Sequence, residues 1–235
     1  MNATTKQLGR WVGAGIALPT AGYAAMIAAA RLGYGHPAVA RAAEADPLLD
    51  GFMPQYDIVE RHHIRVHAPA EITLAAAANG VNLDESPLIR AVFRLRELML
   101  GSTPDRTARP RGLVSFVQSL GWRRLAERPG REIVFGAVTQ PWQADVVFRP
   151  VDPDAFAAFR DPGFVKIAWT LRADPITARD SIFRTETRAV ATDEHARTRF
   201  RRYWSLVSPG IVSIRWLLLR PLKREAERRA RRESE

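Results

Sequence analysis

The feature of this sequence that most constrains its fold is a long apolar stripe near the C-terminus. Asp193 is a favourable helix N-cap, and beyond it apolar side chains recur at spacings of three and four: Phe200, Trp204, Val207, Ile211, Ile214, Leu218 and Leu222. This period predicts one long amphipathic helix with a single buried face. Because the stripe continues across Pro209-Gly210, we expect a kinked helix there and not two separate helices.

The residues before this helix predict an antiparallel sheet. Residues 56–68 alternate between apolar side chains and arginine or histidine, which is typical of a half-buried strand. Pro69 then begins an alanine-rich helix, and Ser86 and Pro87 begin a second helix that extends to Met99. A Pro129-Gly130 turn predicts a hairpin of residues 122–127 and 132–140. Further strands are predicted at 144–149, 164–172 and 178–191, with a short helix at 153–160.

This order of elements resembles the SRPBCC superfamily, the helix-grip fold shared by START lipid-transfer domains and polyketide cyclase/dehydrase-like proteins. The segment YDIVERHHIRVHAPAEIT is similar to the strand and proline-initiated helix that open that fold, and TETRAVATDEHARTRFRRYWSLVSPG is similar to its last strand and gripping helix. The resemblance implies an α+β fold in which a curved antiparallel sheet wraps the long C-terminal helix. It also implies a hydrophobic cavity between them, usually for a lipid, sterol or polyketide-like ligand. It implies no catalytic residues, because the superfamily has no common set.

Residues 11–30 carry no charge, and their length is that needed to cross a bilayer. Lys6 and Arg10 precede the stretch and Arg31 follows it. We therefore predict a membrane anchor at 1–31, a linker at 32–54, the helix-grip domain at 55–225 and a charged tail at 226–235. The flanking charges slightly favour an extracytoplasmic domain. Two alternatives are open: a signal peptide cleaved near Ala28-Ala29-Ala30, or an alanine-rich helix packed on the domain.

Composition limits which classes of partner and cofactor the protein can be expected to bind. The net charge of +10 favours anionic partners such as membrane lipid, but no nucleic-acid-binding motif is present, so nucleic acid is not an expected partner. The absence of cysteine excludes disulfides, thiol nucleophiles and cysteine-ligated metals. His62 and His63 point to opposite faces of the first strand, and His63 and His67 lie about 13 Å apart along it. We therefore expect neither a metal nor a cofactor.

Two pairs of charged side chains are candidate acid–base groups. Glu60 and His62 lie on the apolar face of the first predicted strand, and Glu186 and Arg188 share a face of the last. Buried carboxylate and imidazole groups need partners, and such pairs can carry out acid–base chemistry. The alternatives are a solvated Glu60 beside an ordinary core histidine, and a surface ion pair for Glu186 and Arg188. Lys166 lies opposite an apolar row, and we expect it to be exposed.

The tryptophans and the basic tail complete the candidate sites. Large rings suit cavity walls and core packing equally; the predicted ligand-binding set is Glu60, His62, Trp142, Trp169, Glu186, Arg188 and Trp204. An amphipathic helix end with tryptophan and arginine suits an anionic membrane surface. The predicted membrane-surface residues are Trp216, Arg220, Lys223 and Arg224. The alternative is a solvated helix end, since Glu225 and Glu227 dilute its charge.

These features support three functions. The first is membrane-tethered binding of a hydrophobic small molecule or lipid in the helix-grip cavity. The second is an enzyme of the cyclase or dehydratase type that uses the acid–base pairs. The third is a non-catalytic interaction module at the membrane surface. The sequence has no Ser-His-Asp arrangement, phosphate loop, HExxH motif or dinucleotide fingerprint.

Overall fold

The computed structural model describes residues 22–80 and 110–234. In these residues five strands form one antiparallel sheet with the order β1-β5-β4-β3-β2. The strands are β1 Ile58–Val66, β2 Arg123–Arg128, β3 Glu132–Thr139, β4 Val165–Pro175 and β5 Ser181–Ala191. The helices are α1 (residues 22–33), α2 Pro47–Asp50, α3 Ala70–Asn79, α4 Leu113–Ser119, α5 Pro153–Phe156 and α6 Glu194–Glu233, with a 3-10 turn at Ala42–Glu44. The α+β class, with an antiparallel sheet and a long C-terminal helix, is confirmed.

Most predicted strands form within a few residues of their expected bounds. The predicted strand at 144–149 is an exception, because only Arg149 pairs with the sheet, through a single bridge to Val138. The predicted second helix at 86–99 lies outside the described residues.

The C-terminal helix α6 is continuous over 40 residues, although it contains Pro209 and Pro221. Asp193 caps it as predicted, and its side chain accepts a hydrogen bond from the Ala196 amide at 2.8 Å. At 1.5 Å per residue the helix is about 60 Å long. It continues to Glu233, so most of the predicted charged tail is helical.

Two apolar clusters lie between α6 and the sheet. The N-terminal cluster packs on the first part of α6 and contains Tyr34, Ile58, Val165, Ala189, Phe200 and Trp204. The C-terminal cluster packs on the last part of α6 and includes Val66, Leu74, Phe135, Trp169, Leu171, Leu219 and Leu222. The helix therefore holds both ends of the sheet's inner face.

The other face of the sheet is covered by a second layer, made of residues 42–56 and α5. Leu49, Met53 and Phe156 are fully buried there, against Val134 and Ala168 of the sheet. Asp46 caps α2 by accepting from the Leu49 amide at 2.9 Å. Much of the predicted linker is thus packed on the domain.

The N-terminal helix α1 lies against α6. The Tyr23 hydroxyl donates to the Leu206 carbonyl at 2.7 Å, and the Arg201 guanidinium donates to the Arg31 carbonyl at 3.0 Å. In the ranges 22–80 and 110–234, no helix combines the length and apolar character that a bilayer span requires. Residues 1–21, about two thirds of the predicted anchor at 1–31, lie outside the described residues, so the anchor stays a prediction.

Candidate functional site

A group of polar side chains separates the two clusters between the sheet and α6. Glu60 and His62 of β1 lie opposite Thr187 and Thr185 of β5. Alternation along each strand turns all four towards α6, on the face that also carries the buried Ile58. Arg215 reaches this group from α6, where its Nη1 lies 3.5 Å from Thr185 Oγ1. We call these five residues the polar gap.

His62 is the most deeply buried member of the polar gap, with 4% of its surface exposed. Its ring meets Trp216 edge to face, with centroids 5.3 Å apart. Its Nε2 lies 3.7 Å from a Glu60 carboxylate oxygen, which is too long for a hydrogen bond. Neither ring nitrogen has a hydrogen-bond partner among the described residues. Each buried group without a partner costs about 1–3 kcal/mol.

The charge states of the polar gap follow from burial. Burial, together with the nearby Arg215 and His63, lowers the pKa of His62 to about 4. His62 is therefore neutral at neutral pH and has one donor and one acceptor nitrogen. Burial raises the pKa of Glu60, against the opposing effect of Arg215. Burial also lowers the pKa of Arg215 to about 10, while Glu60 opposes that change.

Thr187 adds another polar atom to the same place. Its hydroxyl is buried and makes no hydrogen bond within residues 22–80 and 110–234. Buried polar groups in folded proteins are nearly always paired with protein, ordered water or a ligand. The polar gap can therefore hydrogen-bond to a water molecule or to the oxygen of a small molecule.

The three tryptophans of the predicted set have different surroundings. Trp169 lies beside Thr187 in the sheet and stacks on Phe135, with centroids 4.8 Å apart. Trp204 is buried in the N-terminal cluster, 6.1 Å from the Phe200 ring. Trp142 packs at the edge of that cluster under the Arg199 guanidinium. Of the three, only Trp169 adjoins the polar gap through strand pairing.

Glu186 and Arg188 lie on the opposite face of the sheet from the polar gap. Arg188 Nε donates to Glu186 at 2.7 Å, and its Nη1 donates to Asp50 at 2.6 Å. Arg61 Nε donates to the other Glu186 oxygen at 3.0 Å. The two residues form an ion pair with each other, but the structure does not bring them together with Glu60 and His62.

A shallow open cleft lies beside this ion-pair network, and most of the side chains that line it are charged. Arg172 and Arg184 both bind Asp174, at 2.7 and 2.9 Å. Because its lining is mainly charged, the cleft does not offer an apolar ligand a suitable surface.

The expectation that Lys166 is exposed is wrong. Its side chain is buried under the second layer, where Nζ donates to the Ala157 carbonyl at 2.9 Å and lies over the Phe156 ring. Burial lowers its pKa to about 8, and the nearby Arg160 adds to this effect. Alternation placed Lys166 on the correct face, but the sequence did not reveal that this face is covered.

The predicted membrane-surface residues divide into two groups. Trp216, Arg220 and Arg224 are exposed. Lys223 is partly buried; it donates to the Arg65 carbonyl at 3.0 Å and lies 3.6 Å from Glu227. Lys223 thus joins α6 to β1.

Thr185, Thr187 and Arg215 were absent from the predicted ligand-binding set. Threonine is common in strands, so the two threonines gave no signal of their own. Arg215 gave a weak one, because it follows Ile214 within the apolar stripe of α6.

Comparisons with known proteins found no matching family model and no matching curated protein. Among solved structures, protein CV1439 from Chromobacterium violaceum is similar at 16% identity and a TM-score of 0.25, over 69% of this chain and 97% of that one. The di-domain aromatase/cyclase BexL of the BE-7585A pathway is similar at 18% identity and a TM-score of 0.25, over 72% of this chain and 46% of that one. The Zhui aromatase/cyclase from Streptomyces sp. R1128 is similar at 13% identity and a TM-score of 0.22, over 73% of this chain and 94% of that one.

Proposed function

We propose that this domain binds a small molecule with an apolar body and at least one hydrogen-bonding oxygen, held in the polar gap between the sheet and α6. The observation that carries this proposal is the burial of His62 with two ring nitrogens that have no partner in the described part of the chain. A ligand hydroxyl or carbonyl would satisfy these atoms and remove the cost of leaving them unpaired.

The surroundings of the polar gap favour a mainly apolar ligand. The N-terminal and C-terminal clusters border it on either side, and the Trp216 ring lies against His62. Small-molecule sites typically combine apolar walls with a few polar groups that fix orientation. Arg215, which lies near Thr185, would favour a carbonyl or carboxylate oxygen at that end of the ligand. A hydrophobic molecule or lipid with one oxygenated end meets these requirements.

The proposal is tested by comparing what co-purifies with matched variants. The full-length protein, His62→Phe and His63→Phe would be purified identically, extracted with organic solvent and analysed by mass spectrometry. His63 is exposed on the opposite face of β1, so its variant is the control. We expect one apolar species to be present with the wild type and His63→Phe and depleted with His62→Phe. Identical profiles for all three proteins would contradict the proposal.

A second candidate function, acid–base catalysis on the bound molecule, is favoured by the 3.7 Å separation of Glu60 and His62. Burial raises the pKa of Glu60 and lowers that of His62, so the Glu60 carboxylate gains proton affinity and the His62 imidazole loses it. Glu60 would remove a proton next to a carbonyl whose oxygen Arg215 stabilises, as a cyclase or dehydratase requires. If so, Glu60→Gln would retain the co-purifying species but abolish its conversion.

The membrane tether at residues 1–31 is proposed from the sequence. It is supported by the uncharged stretch of residues 11–30. Carbonate extraction of membranes tests it: the full chain would stay in the membrane pellet, whereas a variant with charged residues at several positions of 11–20 would be released. Release of the full chain by carbonate would contradict the tether.

A further inference from the structure

We infer that the solvent-facing side of α6, together with the adjoining end of α1, is a surface that lies on anionic lipid. Large apolar side chains are exposed on these two helices: Tyr23, Met26, Leu206, Trp216 and Leu217. Large apolar side chains exposed close together mark interaction sites more often than scattered ones do.

These side chains lie on two adjoining helices. The Tyr23 hydroxyl donates to the Leu206 carbonyl, so the end of α1 lies beside α6 at this point. Positions separated by three, four or seven residues share one side of a helix. The lipid-facing stripe of α6 therefore consists of Leu206, Trp216, Leu217, Arg220 and Arg224, and it changes from apolar to basic along the helix.

The basic end of the stripe is free to bind phosphate groups. Arg220 and Arg224 are exposed and make no ion pair in the part of the chain that the structure describes. The acidic residues nearby are already engaged. Glu225 binds Arg228 and Arg229, and Glu227 accepts from the His67 amide at 3.0 Å.

Charge and apolar content together favour lipid over other partners. Apolar side chains beside unpaired arginines are typical of helices that lie in a membrane interface. Residues 22–30, the described part of the uncharged stretch 11–30, belong to α1, and α1 meets the stripe at Leu206. Trp216 belongs to the stripe and also contacts His62, yet the surface does not depend on a ligand being bound in the polar gap.

The absence of cysteine allows a local test on the full chain. In the Leu217→Cys variant, the single cysteine would carry an environment-sensitive fluorophore. Val147 is exposed and lies outside the stripe, so the Val147→Cys variant with the same fluorophore would be the control. The probes are vesicles of phosphatidylcholine with about one third phosphatidylglycerol, and vesicles of phosphatidylcholine alone. We expect a blue shift at position 217 with the anionic vesicles, reduced by added salt, and none at position 147.

Charge variants distinguish lipid binding by the stripe arginines from attraction due to the net charge of the protein. In the Leu217→Cys protein, Arg220→Glu with Arg224→Glu should weaken the anionic-vesicle response at least about tenfold. The matched control, Arg123→Glu with Arg131→Glu, makes the same change in charge on the β2–β3 hairpin, at the other edge of the sheet from β1. Because the signal is local to position 217, insertion of the N-terminal segment alone does not produce it. Three outcomes would overturn the inference. They are equal shifts with the two vesicle types, equal shifts at the two label positions, and equal shifts in the two charge variants. The solvent extraction of the His62→Phe protein tests ligand binding in the polar gap, and its result does not depend on whether the stripe binds lipid.

Discussion

A neutral histidine that is buried without hydrogen bonds destabilises the protein that contains it, and His62 is in this position in the described structure. Replacement by phenylalanine keeps a flat ring against Trp216 and removes both unpaired nitrogens. We therefore expect His62→Phe to raise the free energy of unfolding of the ligand-free protein by about 1 kcal/mol or more. Urea denaturation followed by circular dichroism measures this difference.

The control for this prediction is His63→Phe, because His63 is the next residue and is exposed. Its free energy of unfolding should stay within about 0.5 kcal/mol of the wild type. If His62→Phe is instead destabilising, His62 has a partner that stabilises the folded state, and the polar gap is a satisfied part of the core.

Glu132 is a buried carboxyl group that controls stability through pH. Burial, followed by the neighbouring Asp46 carboxylate, raises its pKa to about 8. A raised pKa means that the folded state holds a proton which the unfolded state releases near its ordinary pKa of 4.5. The contribution of Glu132 to the free energy of unfolding is therefore fully present below about pH 4.5 and is lost as the pH rises to about 8. The free energy of unfolding falls by at most about 1.4 kcal/mol per pH unit in this range.

Glu132→Gln should remove this pH dependence because the amide does not titrate. Urea midpoints measured between about pH 5 and pH 8.5 should fall with pH in the wild type and fall less in the variant. Glu127→Gln changes an exposed glutamate of the same hairpin and should leave the wild-type slope unchanged. Parallel slopes for the wild type and Glu132→Gln would mean that Glu132 ionises in the folded state near its ordinary pKa.

Strand alternation explains which site residues the sequence could predict. Glu60 and His62 were identified because they interrupt an apolar face, and the structure places both in the polar gap. Alternation assigns a residue to a face but does not say what covers that face. This is why Lys166 was expected to be exposed, and why Glu186 and Arg188 were placed in one ligand-binding set with Glu60 and His62, from which the sheet separates them.

At the scale of elements, the spacing of apolar residues predicted the helices and strands that are long enough to show a regular pattern. The stripe of α6 and the alternation of β1, β4 and β5 each cover nine residues or more. The second layer has no such pattern, because α2 is only four residues long and Leu49 is its one buried side chain. Composition rich in alanine, glycine and proline therefore made residues 32–54 resemble a linker.

The second layer gives a prediction of its own. Leu49 is completely buried against the sheet, so Leu49→Ala should reduce the free energy of unfolding by about 2–5 kcal/mol. Leu32→Ala removes the same atoms from an exposed position of the same predicted linker, and should cost less than about 0.5 kcal/mol. Urea denaturation compares the two variants. Equal and small effects would mean that residues 42–56 are detached from the sheet in solution.

At the scale of the whole molecule, the folded unit begins well before residue 55. Tyr34 packs edge to face on Phe200, with centroids 5.8 Å apart, and its hydroxyl donates to Asp57 at 3.3 Å. Asp50 binds the buried Arg188 from the other side of the sheet. The segment predicted as a linker thus supplies contacts to both layers, so a boundary at its end would divide the hydrophobic core.

Two truncated chains test where the folded unit begins. Residues 32–235 retain Tyr34, Leu49 and Met53, and should unfold in urea with one cooperative transition. Residues 55–235 lose all three, together with Asp50, which is one of the two carboxylate partners of Arg188. Each buried side chain removed costs about 2–5 kcal/mol, and a domain of this size has a total stability of about 5–15 kcal/mol. We therefore expect the shorter chain to be unfolded or aggregated. If it unfolds at the same urea midpoint as residues 32–235, the second layer contributes nothing to stability, and the unit begins at β1 as the sequence alone predicted.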